Sequence, residues 1–285
     1  MHMIIKFFGL TLAFAGLAAC SGGPDTTAST SSSSSASSSG AGQGGGGAGG
    51  GTTTVSGSST SSTGGAAACM KTEVACSDQV IQKLNLHKDP STRKITNDAD
   101  GAGFISSIDA TAGGLMAPES YVYAKFTDKG LEAVAIGDEA SLDSTDWDIA
   151  FRRYIIRINS GSSGPSCAKA ARIADIAQYD TIATLPENVD LKPDTYFDAK
   201  CTFIDDNSGT GTDPATALHT FWKYAGCLQM TSNVYALSLA DGRNVKLTVL
   251  NYYSPAVQDE CNKTGMITQQ PSGSGNLRVR WALLP

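Results

Sequence analysis

Forty-six consecutive residues, Ser21 to Ala66, contain 14 Gly, 15 Ser and 8 Thr, and their only charged side chain is Asp25. A run of that kind has too little apolar surface to offset the entropy of ordering its backbone. Any fold must therefore be built from residues 67–285, and the run itself reads as a disordered tether. As a flexible coil it has a root-mean-square reach on the order of 40 Å. The remaining stretch carries 20 Lys and Arg against 26 Asp and Glu. That balance excludes a basic nucleic-acid binder. The split also excludes a two-domain globular protein filling the whole length, and leaves one domain large enough for a substantial core.

Residues 1–19 read as a secretory signal. Lys6 supplies the positive end, and Phe7 to Leu17 is apolar but too short to span a bilayer. The stretch ends Leu17-Ala18-Ala19-Cys20, which resembles the bacterial lipobox. That resemblance implies a lipidated Cys20 as the mature N-terminus, followed by the tether over residues 20–66. Acyl chains anchor durably because each buried CH2 contributes about 0.8 kcal/mol. With Ser21 rather than Asp after the cysteine, the expected destination is the bacterial outer membrane, with the head at the cell surface. The membrane is then a partner through the anchor, and any outer-membrane transporter is left unidentified.

Six further cysteines, Cys69, Cys76, Cys167, Cys201, Cys227 and Cys261, give an even number in an exported domain, which favours three disulfides. No CxxC occurs to support the rival metal-site reading. Cys69 and Cys76 lie close enough to close a small loop, and the other four are left unpaired. Residues 67–103 form a Cys-containing leading segment. Within it Ser77 reads as the N-cap of one short helix carrying Val80, Ile81 and Leu84 on a single face. From Tyr121 the pattern is strand-like. Leu277, Val279, Trp281 and Leu283 alternate with Arg278, Arg280 and Ala282, and Val245, Leu247 and Val249 alternate with Lys246 and Thr248. Asp241-Gly242 between apolar runs predicts a hairpin. Trp147 to Ile158 reads as one long β-rich run. The expected fold class is all-β, predominantly antiparallel.

The run DWDIAFRRYIIRINSGSSG, Asp146 to Gly164, resembles the signature of the HmuY family of bacterial haem-binding lipoproteins. VYALSLADGRNVKLTVLNYYS, Val234 to Ser254, resembles that family's strand, Asp-Gly turn and strand ending in Tyr-Tyr. Ile108-Asp109-Ala110 and Tyr121 to Gly130 fit its opening strands. Gly265-Met266-Ile267 and Leu277-Arg278-Val279 fit its closing ones. The resemblance covers residues 104–285 and implies an HmuY-like β domain, a surface lipoprotein and capture of haem through two axial histidines.

The two-histidine site is not reproduced in the sequence. Downstream of the signal only His87 and His219 remain. His87 reads as a solvated loop residue. His219 precedes Trp222, whereas the family's histidine follows the matching tryptophan; after it, Ala225 to Met230 offers Cys227 or Met230. Phe203 to Ala217 holds no His, Met or Cys. Haem iron takes imidazole, thioether, thiolate or phenolate ligands, so His219 and Met230 are the candidate ligands, with Met116 and Met266 also open. A second constellation, Asp205, Asn207 and Asp213, places side-chain oxygens as calcium loops do but lacks the terminal glutamate of an EF-hand. These are also ordinary turn residues, and calcium is not the expected cofactor. The acidic set Asp138, Glu139, Asp143, Asp146 and Asp148 around Trp147 reads as a solvated loop.

No HExxH, GxSxG, P-loop or post-strand GxGxxG occurs, so an enzyme is not expected. The sequence points to a binding protein that takes haem or a related flat, apolar ligand. The alternative is a structural or adhesive surface lipoprotein that kept the scaffold and lost the haem site.

Overall fold

The computed structural model describes residues 69–114 and 116–285. The predicted signal peptide, the lipidation site Cys20, the tether and the first two residues of the leading segment lie outside the described residues. In chain order the elements are α1 (Ser77–Lys83), β1 (Ile95–Asp100), β2 (Gly103–Asp109), β3 (Val122–Thr127), β4 (Gly130–Val134), α2 (Asp138–Ser141), β5 (Ile149–Arg152) and β6 (Ile155–Ile158). There follow β7 (Lys169–Asp175), β8 (Trp222–Tyr224), β9 (Leu228–Met230), β10 (Asn233–Ser238), β11 (Asn244–Asn251), α3 (Pro255–Thr264) and β12 (Asn276–Leu284).

Three antiparallel sheets result. The largest runs β1-β2-β12-β11-β10-β7, a second runs β4-β3-β5-β6, and β8 pairs β9 alone. The predominantly antiparallel β fold expected from the sequence is therefore present. The predicted Asp-Gly hairpin joins β10 to β11, with Gly242 at φ 87°, a conformation glycine adopts without steric cost.

One core lies between the inner faces of the two larger sheets, holding Val122, Phe126, Phe151, Leu247, Val279 and Trp281. A second lies against the other face of the smaller sheet, where Val80, Leu84, Tyr123, Trp147, Ala150 and Tyr196 meet. Strand β5 alternates between them: Ile149 and Phe151 enter the first, Ala150 the second. A strand covered on both faces shows no polar alternation. That is why the predicted single run from Trp147 to Ile158 concealed a hairpin. The chain reverses at Arg153, at φ 51°, and β6 pairs back onto β5.

Three other expectations are corrected. The described chain contains three α-helices rather than one. Cys76, not Ser77, occupies the position before α1, because its side chain is committed to a disulfide and Ser77 is already helical. The cysteines do form three disulfides, but Cys69 does not pair with Cys76. The bonds are Cys69–Cys167, Cys76–Cys201 and Cys227–Cys261. Ahead of α1 the Thr72 N–H is bonded to the Pro165 carbonyl at 2.8 Å, and Cys69 and Cys76 each meet a partner from a distant loop.

Candidate functional site

The loop Asn159 to Gly164, the most specific stretch of the sequence, is the base on which the candidate site is built. Asn159 donates to the carbonyls of Ser144 and Trp147. Gly164 lies so close to Asn159 and Trp147 that an added Cβ would fall 2.2 Å and 2.8 Å from their side chains. The serines then clamp a second segment. Ser160 Oγ accepts the Asp194 N–H, Ser162 Oγ accepts the N–H of Tyr196, and the Ser162 N–H donates to the Asp194 carbonyl. The loop thus fixes residues 194–197.

Asp194 is fully buried and accepts three hydrogen bonds. Its Oδ1 takes the Ala217 N–H at 2.7 Å, and its Oδ2 takes the Ile158 N–H at 2.9 Å and the Ser163 hydroxyl at 2.6 Å. Burial pushes its carboxyl up to about 6, against these bonds and the nearby Arg157, which pull it down. Arg157, also fully buried, donates to Ser163 Oγ and the Ser163 carbonyl, so the serine hydroxyl bridges cation and carboxylate. Desolvation would make either charge costly alone.

Through Ala217 this carboxylate reaches the turn that carries His219. Leu218 and Phe221, each about 1% exposed, anchor that turn in the core and leave the imidazole between them half-buried. Nδ1 of His219 lies 2.5 Å from the Thr216 carbonyl. A carbonyl only accepts, so Nδ1 carries the proton, and of the two neutral tautomers this favours the one with its lone pair on Nε2. This arrangement suits a metal ligand: one ring nitrogen is held by the protein and the other is available.

His219 lines a cavity of about 350 Å³ whose walls include Ala170, Arg172, Lys192, Pro193, Thr195 and Ala217. That is at the small end of the roughly 300–1,000 Å³ typical of ligand sites. The two cations at its rim are paired, Arg172 with Asp175 and Asn233, and Lys192 with Asp190. These pairs are exposed, so an incoming carboxylate can compete for either cation at little expense.

The other predicted residues sit elsewhere. Met230 ends β9 opposite Trp222 and packs in the first core at 9% exposure; it does not line the His219 cavity. Cys227 is bonded to Cys261. Met116 and Met266 are exposed on loops. His87 is half-buried, its Nε2 3.3 Å from the Ala117 carbonyl, and its backbone N–H donates to Asp138. In the Asp205–Asp213 loop, Asp205 accepts the Asn207 N–H and Asp213 accepts the Thr210 hydroxyl, the bonding of local turns. Among the described residues, no group of three or more His, Cys, Asp or Glu is arranged to hold a metal ion.

Two acidic residues around Trp147 depart from the solvated-loop expectation. Asp138 is fully buried and accepts from the Tyr121 N–H, the Tyr123 hydroxyl and the His87 N–H, with Arg152 3.6 Å away. Asp148 accepts the Phe126 N–H and ties β5 to β3, and burial raises its carboxyl. Asp194 was not a predicted residue at all. Its one sequence signal is a carboxylate after Pro193 in the turn-like LKPDTYFD, which does not announce burial.

The profile described as HmuY protein matches residues 117–268, more than half of the chain, and the protein belongs to the HmuY family. Among solved structures it is similar to a Bacteroides vulgatus protein classed as HmuY-like and heme-binding. They share 15% identity at a TM-score of 0.41, over 68% of this chain and 97% of that one. A Bacteroides fragilis protein classed as a lipoprotein matches at 12% identity and TM-score 0.40, over 65% and 90% of the two chains. The apo HmuY analog of Tannerella forsythia matches at 17% identity and TM-score 0.35, over 69% and 99%. No curated protein sequence matches this one. Among the described residues no helix is long and apolar enough to cross a membrane.

Proposed function

We propose that the protein is a lipid-anchored surface lipoprotein that captures haem, or a related flat apolar ligand, in the cleft beside His219. The observation that carries this reading is the hydrogen bond from His219 Nδ1 to the Thr216 carbonyl. It orients the ring and leaves Nε2 as the nitrogen that would ligate iron, in a cleft whose lining includes Ala170, Ala171, Ala215 and Ala217. Haem supplies an iron that accepts an imidazole, an apolar ring and two carboxylates; Arg172 and Lys192 at the rim match the carboxylates. Met230 ranks second as a ligand, because its thioether reaches the cleft only if β9 parts from the core. Cys20 carries the anchor in this reading, and family membership together with the lipobox-like sequence supports it.

Haemin titrated into the purified head, residues 67–285, should give a shifted and sharpened Soret band at micromolar protein. His219→Ala should abolish the shift, while Met230→Ala tests the second ligand. A spectrum that stays that of free haemin overturns haem capture and leaves the scaffold without this ligand. For the anchor, mass spectrometry of the cell-derived protein should find acyl chains on Cys20; an unmodified or absent Cys20 refutes it.

A further inference from the structure

We infer that Asp194 is a positioning residue for His219, acting through the single peptide group that joins Thr216 to Ala217. The two ends of that group point opposite ways along one line of hydrogen bonds. Its N–H donates to Asp194 Oδ1 at 2.7 Å, and its C=O accepts from His219 Nδ1 at 2.5 Å. The same carbonyl also accepts the His219 backbone N–H at 3.1 Å.

A carboxylate on the N–H side draws the peptide proton and enriches the carbonyl oxygen, because hydrogen bonds in series polarise one another. A charged acceptor makes the first link about twice as strong as a neutral one. The enriched carbonyl holds the Nδ1 proton more firmly, which fixes the tautomer with Nε2 bare and makes Nε2 a better donor. The arrangement is a carboxylate–histidine pair with one peptide unit inserted. Asp194 is itself held on both sides, by Ser160 and Ser162 through its backbone and by Ile158 and Ser163 at Oδ2. The family motif therefore reaches His219 in two steps, without touching the cleft.

This inference rests on the reading of His219 as the ligand, but its primary test needs no ligand. Long-range 1H–15N spectra of the apo head report which imidazole nitrogen carries the proton. In the unsubstituted protein, the His219 Nδ1–H and the Ala217 amide proton should both lie downfield and exchange slowly. Either one at a random-coil position overturns the relay. Asp194→Asn removes the charge while keeping an oxygen, and should move the Nδ1–H signal upfield and raise the population of the other tautomer. Asp148→Asn removes the charge of another buried carboxylate, one that accepts the Phe126 N–H, and should leave the His219 signals in place. If Asp194→Asn leaves the tautomer as it was, or Asp148→Asn shifts it equally, Asp194 is a structural residue only.

With haemin, Asp194→Asn should weaken binding roughly 3- to 10-fold. This is at or below the low end of the 10- to 100-fold typical of direct second partners, because a peptide unit intervenes. The spectral type should be retained. Should the unsubstituted head fail to bind haemin, the haem reading falls, and the apo spectra still decide the relay.

Discussion

Asp194→Asn should also change how stability depends on pH, with a size that follows from burial. In the folded protein this carboxyl is pushed up to about 6, against an ordinary value of 3.8. The folded state therefore binds the proton more tightly than the unfolded chain. Its contribution is fully present below about pH 4 and is lost as pH rises through 6. At 1.36 kcal/mol for each tenfold change, the gap corresponds to about 3 kcal/mol. Urea denaturation at intervals from pH 4 to 7 measures it.

The raw curve mixes several groups. Asp109 and Glu119 are held low: burial of Asp109 is outweighed by bonds from Thr111 and Arg93, and the Arg93 bonds dominate at Glu119. Both add stability as pH rises. Asp148 and Asp213 are raised by burial and act in the same sense as Asp194. Subtracting the Asn variant's curve cancels these and leaves Asp194. The wild-type advantage should fall by about 2.4 kcal/mol between pH 4 and 7, the remainder of the gap lying below pH 4. A difference flat to within about 0.5 kcal/mol would refute the claim that desolvation outweighs the three hydrogen bonds.

Two further predictions concern the Cys227–Cys261 disulfide and the Asn159–Gly164 loop. Cys227→Ser with Cys261→Ser unties the β8–β9 hairpin from α3 and opens a loop with a sequence separation of 34. The chain-entropy relation gives a loss of about 4 kcal/mol, read from urea midpoints, and a loss below 1 kcal/mol would show that packing alone holds the hairpin. Gly161→Ala meets two obstacles, a φ of 55° and a Cβ that would fall 2.0 Å from the Asp194 carbonyl oxygen. It should cost about 2–4 kcal/mol in the same assay and disorder the 194–197 segment; a neutral result would mean that the two loops separate freely.

How much of this was legible depended on whether a residue's role was local. The Asp241-Gly242 hairpin was readable because the turn chemistry and flanking strands lie within twenty residues. The alternation of β12 was readable through Trp281, then shifts: Ala282 is buried and Leu283 only half-buried. There Gly103 of β2 lies so close to β12 that an added Cβ would be 2.1 Å from the Trp281 carbonyl. Helix α3 was missed because its inward face carries Gln258, which accepts the N–H groups of Tyr252 and Tyr253, beside only Val257 and Cys261. Its ends were marked all the same, by Ser254-Pro255 at the start and Gly265 at the stop. His219 was visible by residue type alone. Asp194 was not, since its burial is made by a loop some thirty residues earlier. The number of disulfides followed from counting, and their pairing did not.

The three cross-links also determine how the domain would bear a pull. Tension entering upstream of Cys69 and leaving at Pro285 divides at Cys69. One branch crosses to Cys167 and runs to Cys201, and the other runs to Cys76 and crosses to Cys201. Residues 77–166, from α1 through β6, lie off both covalent branches, and β2 among them meets the load only through its hydrogen bonds to β12. Beyond Cys201 the path follows the single chain to Cys227, then jumps to Cys261 and spares β9, β10, β11 and most of α3. The turn bearing His219 sits on that single-chain stretch, between Cys201 and Cys227, which no cross-link bypasses.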